Sequence, residues 1–140
     1  MDQESIVYGC IKDVTSLYSE AERRHANRKA LLMLPTSDEW PYLSQEMFSI
    51  PQLEPGPDNY QTEVVHFGAS YKAIEYEWKN WVEKFELLLS NMYWVSAVVH
   101  LETELSGVHT FTWLCEDDCH IPGMDASKIH CEWSREHALI

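Results

Sequence analysis

His100, Glu102 and Glu104 fall on alternate positions of one stretch, HLETELSGVHTFTW, residues 100–113. A carboxylate beside an imidazole can exchange a proton with it, and such groups together can hold a metal ion. Period-two alternation on both sides of Ser106-Gly107 predicts a β-hairpin. Pairing Leu105 with Val108 sets Glu104 opposite His109, Glu102 opposite Phe111 and His100 opposite Trp113. Val99, Leu101, Thr103 and Leu105 then share the other face with Val108, Thr110, Thr112 and Leu114. Helices cover an aliphatic face more readily, so the acid-and-aromatic face is expected to look outward. No H-E-x-x-H, D-x-D, Gly-rich phosphate loop or nucleophile motif accompanies the group. Charge pairing across strands explains it equally.

Cys115-Glu-Asp-Asp-Cys119-His120, with His130-Cys131 downstream, is a second constellation. Thiolates and imidazoles suit zinc. The C-x3-C spacing is loose, however, and two adjacent residues rarely reach one ion. Free thiols are expected, with no metal and no cofactor. A small metal-binding protein or metal-dependent enzyme using these His, Glu and Cys residues is the alternative reading. The basic run ERRHANRK (residues 22–29) can bind phosphate, but on this chain a solvated helix face is the simpler expectation.

The 140 residues carry a net charge of −13, unevenly spread. Ala30 to Tyr71 holds six acids and no Lys or Arg, and Phe85 to Ser127 holds seven acids and again none. Such a field repels nucleic acid and anionic membrane and attracts cationic partners. No apolar run is long enough to span a bilayer. MDQESIVYGC has acids where a secretory leader has bases, so a cytoplasmic location is expected.

The elements that must position these residues follow from periodicity. SIVYGCIKD (5–13) predicts a first strand, with Asp13 as the cap of a following polar helix that ends at Pro35. Residues 35–60 hold five of the six prolines and predict a long loop, with at most a helical turn in SDEWPYLSQEMF. QTEVVHF (61–67) predicts a strand broken by Gly68-Ala69-Ser70. Tyr71, Ile74, Trp78, Trp81, Phe85 and Leu88 follow at steps of three and four. That stripe predicts one helix over 71–90, capped by Ser70, with a Glu75–Lys79 pair on its outer face. The hairpin comes next, and IHCEWSREHALI is open between helix and strand. The whole is an α+β domain spanning 1–140: a small, mostly antiparallel sheet with two main helices on one face, in the order β-α-loop-β-α-β-β.

Over its full length the chain resembles the immunity proteins of bacterial polymorphic toxin systems, including those linked to type VI and contact-dependent secretion. Small size, α+β character, acidity, tryptophan content and the absence of a catalytic signature carry the resemblance. So do VVHFGASYKAIEYEWKNWVEKFELLL and YWVSAVVHLETELSGVHTFTW. The resemblance implies a non-enzymatic inhibitor, a monomer or homodimer, that binds a cognate toxin domain and occludes its active site. The surface expected to meet a cationic toxin comprises Glu102, Glu104, His109, Phe111 and Trp113, with Asp38, Glu39 and Trp40 of the long loop.

Overall fold

A computed structural model gives the fold, and the structure describes residues 4–14, 20–35, 40–51 and 62–136. Five strands form one antiparallel sheet: β1 (Glu4–Val14), β2 (Thr62–Lys72), β3 (Ser96–Thr103), β4 (Gly107–Cys115) and β5 (Ile129–Glu136), in the spatial order β2-β1-β3-β4-β5. Helices α1 (Glu20–Leu32) and α2 (Trp78–Ser90) complete an α+β fold. Residues 129–136, open in the sequence reading, add a fifth strand to the expected order. No helix among the described residues is long and apolar enough to cross a membrane.

The sheet has one buried and one open face. Val7, Ile11, Val65, Phe67, Tyr71, Ala97, Val99, Leu101 and Trp113 share the buried face by register and are at most a few per cent exposed. On α2, Trp81, Phe85, Leu88 and Leu89 are buried, and the Phe85 ring meets Phe67 and Trp113. The α1 side chain Arg23 meets Asp13, which lies on that same sheet face. Burying such aromatic payloads supplies most of the driving force for the fold.

Gly9 lets β1 lie close against β3. A Cβ there would stand 1.9 Å from the Val98 carbonyl oxygen and 2.9 Å from the Phe67 ring.

The predicted helix over 71–90 divides. Its apolar stripe is buried at Tyr71, Ile74, Trp81, Phe85 and Leu88, but the backbone is not one helix. β2 runs on through Gly68-Ala69-Ser70 to Lys72, and Ala73 takes a left-handed turn (φ 52°). A short 3-10 turn over Ile74–Glu77 then leads into α2. Val65, Phe67, Ala69 and Tyr71 alternate toward the core, so a two-residue period overlaps the helical one. Gly68 faces away from the helices opposite Tyr8 and interrupts nothing. Ser70 donates to Glu4 (2.5 Å) instead of capping a helix, and Glu75 accepts from Ser5 (2.7 Å) in the strand beside it. Trp78 is half-buried, stacked flat on Trp81 at 4.9 Å.

Asp13 likewise belongs to β1, and its carboxylate meets Arg23. The long loop sends Leu43 and Phe48 into the core, has its short helical turn at Gln45–Met47, and lays Phe48 and Ser49 along the β2 edge.

Candidate functional site

The hairpin forms, but in a register three residues from the expected one. Thr103 pairs with Gly107, Leu101 with His109, Val99 with Phe111 and Ala97 with Trp113. The turn comprises Glu104, Leu105 and Ser106 rather than two residues, and Gly107 supplies the positive φ of 79° that ends it. Thr103 Oγ1 accepts from the Ser106 N–H at 2.9 Å, which sets the wider turn. An odd shift moves every β4 side chain to the opposite face. Glu102 and His100 do look outward, whereas His109, Phe111 and Trp113 point to the helix side. Trp113 is fully buried, donating to Glu86 at 3.0 Å, and so serves the core instead of a surface. Phe111 is half-buried between Trp78 and Trp133. Glu104 is exposed in the turn. Asp38 and Glu39 lie outside the described residues; Trp40 is partly exposed, edge-on to Tyr42 and Tyr71.

Ser106 and His109 stand in the geometry of a nucleophile and its base, Oγ to Nε2 2.8 Å. The third group gives the opposite chemistry. Trp133 Nε1 donates to His109 Nδ1 at 3.3 Å, so Nδ1 carries the lone pair and Nε2 the proton. The imidazole therefore donates to Ser106 instead of taking its proton. Burial and the nearby Arg135 both hold the His109 pKa below its ordinary value, consistent with a neutral ring. Arg135 also donates to the Ser106 carbonyl at 2.9 Å. These bonds lock the turn to β5 and leave no base for acyl transfer.

The cysteine and histidine constellation does not converge. All four cysteines are free, and no group of three His, Cys, Asp or Glu among the described residues is placed to hold a metal. His130 pairs with Glu116 at 2.8 Å, and Cys115 lies 3.3 Å from the Met124 sulfur. Desolvation, with Glu86 and Glu132 nearby, pushes the Cys131 thiol up, away from the thiolate that a metal or an electrophile needs. His120 is fully buried, stacked on Trp94 at 4.8 Å, with Nδ1 donating to the Met92 carbonyl at 2.8 Å.

What the fold does assemble is an acid-and-aromatic end of the sheet. Ser5, Tyr71 and Thr103 pair side by side near that end. Around them stand Glu4, Glu75, Glu77, Glu102 and Glu104, against Lys72 and Arg135. Tyr76 (78 % exposed) and Leu105 (75 %) are among the most exposed large apolar side chains, and Trp40 and Tyr42 flank Tyr71. Trp133, also exposed, sits a little further in on the helix side. Sequence reasoning reached Glu102, Glu104 and Trp40 but missed Tyr76, Leu105 and Trp133. A leucine inside a polar turn was the available signal for one. Tyr76 falls off the apolar stripe of its own segment, which was the signal for another.

The opposite end holds a polar cluster that the sequence reading left on the surface. Arg23 makes a two-pronged ion pair with Asp13 and covers the Tyr93 ring at 4.9 Å. The bond to Asp13 holds the guanidinium above its ordinary pKa despite desolvation. Asn27 bonds both backbone groups of Tyr93, donating to O at 2.9 Å and accepting from N at 2.7 Å. Arg24, Asn27 and Leu31 are buried at steps of three and four, a polar helix face turned inward.

Compared with protein-family models, curated proteins and solved structures, the chain matches none.

Proposed function

We propose that this protein is an immunity-type inhibitor: it binds a cationic bacterial toxin domain and covers that domain's active site. The observation that carries the reading is the end of the sheet near the β3–β4 turn and the end of β2, where Glu102, Glu104 and Leu105 are exposed beside one strand end and Glu75, Tyr76 and Glu77 follow the other. Carboxylates steer a cationic partner into encounter, and aromatic anchors beside them slow its release. No hydrogen bond or ion pair engages Glu102 or Glu104 among the described residues, so both are available to an incoming Lys or Arg. The net charge of −13 speaks against nucleic acid and anionic membrane as partners. The encounter takes place in the bacterial cytoplasm on this reading.

The test uses the C-terminal domain encoded by the gene immediately upstream, purified and titrated with this protein. The parent binds it and protects cells that express it. Glu102→Ala/Glu104→Ala binds it about a hundredfold more weakly, about 3 kcal/mol. A parent that neither binds nor protects overturns the proposal.

A further inference from the structure

The two edges of the sheet are finished differently. At the β2 edge the chain covers itself. Phe48 bridges Phe67, and Ser49 donates its N–H to the His66 carbonyl at 2.8 Å while its hydroxyl accepts the His66 N–H at 2.8 Å. The β5 edge has no such cover among the described residues. The Glu116 N–H donates to the Lys128 carbonyl at 2.8 Å, and from there the register runs without a bulge from Cys115–Ile129 to Val108–Glu136. In an antiparallel ladder, alternate residues aim both backbone groups at the neighbouring strand. His130, Glu132 and Ser134 therefore bond β4, and Ile129, Cys131, Trp133 and Arg135 turn their groups outward. The Ile129 N–H goes to the Ala126 carbonyl. The N–H and C=O of Cys131, Trp133 and Arg135 have no partner among the described residues, and every residue from His130 to Arg135 is exposed. Edge strands are ordinarily blunted by lysine, proline or a bulge, and IHCEWSRE has none of these.

A row of outward donors and acceptors fits another strand, and the charges around it set the sign of that strand. Trp113 pairs with Cys131 across the ladder and donates to Glu86 at 3.0 Å, which puts that carboxylate on the helix side of β5. Glu132 is exposed on the other side, with no ion pair among the described residues. The nearby bases are already engaged: Arg135 with the Ser106 carbonyl at 2.9 Å, Lys128 with Asp117 at 3.2 Å and His130 with Glu116 at 2.8 Å. The Arg135 bond also joins this edge to the turn that carries Glu104 and Leu105, so the edge is continuous with the acid-and-aromatic end. We propose, on the inhibitor reading above, that β5 receives an extended basic segment of the cationic toxin domain, added to the sheet as an antiparallel outer strand. A segment laid opposite Cys131–Arg135 satisfies all the outward groups of those residues. On the helix side its side chains lie beside Trp133, 62 % exposed, and a lysine or arginine opposite Cys131 stands near Glu86. On the open side a basic residue meets Glu132.

Amide hydrogen exchange of the full-length protein, free and bound to the C-terminal domain encoded immediately upstream, reads the edge residue by residue. In the free protein the Cys131, Trp133 and Arg135 amides exchange fast and those of Glu132 and Ser134 slowly. In the complex all of them are slow. Cys131→Pro removes one outward N–H and leaves the bonds to β4 in place, the position at which an edge strand tolerates proline. It weakens binding about tenfold to a hundredfold, while Cys131→Ser, which keeps the N–H, binds like the parent. A thermal melt of Cys131→Pro separates lost binding from lost folding, and the exchange measurement on the parent stands whether or not that variant folds. A domain that binds while the three outward amides exchange as fast as before overturns strand addition and leaves the inhibitor reading standing. So does a folded Cys131→Pro that binds like the parent. A domain that does not bind at all overturns both.

Discussion

The two ends of the sheet use acidic residues in opposite ways. At the Asp13 end the acid is buried, gripped by Arg23, and the cation lies over Tyr93. At the Glu104 end the carboxylate is exposed, and the neighbouring large side chains, Leu105 and Tyr76, are exposed with it. Two histidines repeat the contrast. His120 is fully buried against Trp94, whereas His109 is half-buried and braces a surface turn. A buried charge whose partner is removed costs the fold, while an exposed one costs it little. The first end is therefore a structural joint, and the second is free to spend its charge on a partner.

The largest effects should come from breaking the joint. Asp13→Ala leaves Arg23 with an uncompensated charge and should lower stability by about 3–5 kcal/mol in denaturant titration. Replacing both partners with apolar residues, Asp13→Leu/Arg23→Met, should recover much of that loss. If Asp13→Ala melts like the parent, the pair is ornamental and the contrast between the ends collapses. Trp113→Ala should cost about 3–5 kcal/mol through the cavity it opens against Phe85.

Trp113 reads as a surface residue only in the two-residue-turn register. The alternation over residues 100–113 was legible, and so were the hairpin and the outward face of β3. The length of the turn was not, because Ser106-Gly107 suits a two-residue turn by type alone. The Thr103 hydroxyl and the positive φ of Gly107 choose the longer one, and an odd shift exchanges the faces of β4. The stripe from Tyr71 to Leu88 shows the same limit: burial was readable, but residues that satisfy both a two-residue and a 3.6-residue period do not say where strand becomes helix. The inward polar face of α1 was hidden because Arg24 and Asn27 are ordinarily solvated types. Asn27, for one, is held by the backbone of Tyr93, far along the chain.

A smaller effect is the pH dependence that the buried His120 confers. Burial lowers the His120 pKa below the ordinary 6.5, with the bond to Met92 opposing in part. The unfolded chain then binds the proton more readily than the folded one. The stabilising contribution is complete above pH 6.5 and is lost as pH falls below it. His120→Asn keeps a donor toward the Met92 carbonyl but cannot titrate, so its stability should change less between neutral pH and about pH 5 than the parent's. Equal slopes for the two proteins would remove His120 from the joint. The smallest change is expected at Trp133→Ala, where an exposed ring leaves β5 with about 1 kcal/mol or less lost in denaturant, while partner binding weakens. A large loss of stability there would make Trp133 part of the core instead.

The most direct measurement of the central claim follows the association rate with the upstream-encoded domain at low and high salt, for the parent and for Glu102→Ala/Glu104→Ala, beside denaturation curves of both. The parent's association should slow steeply as salt rises and the variant's should slow less, with the two denaturation midpoints the same. A variant that associates as fast as the parent, with the same dependence on salt, would contradict the claim that this end of the sheet meets a cationic partner.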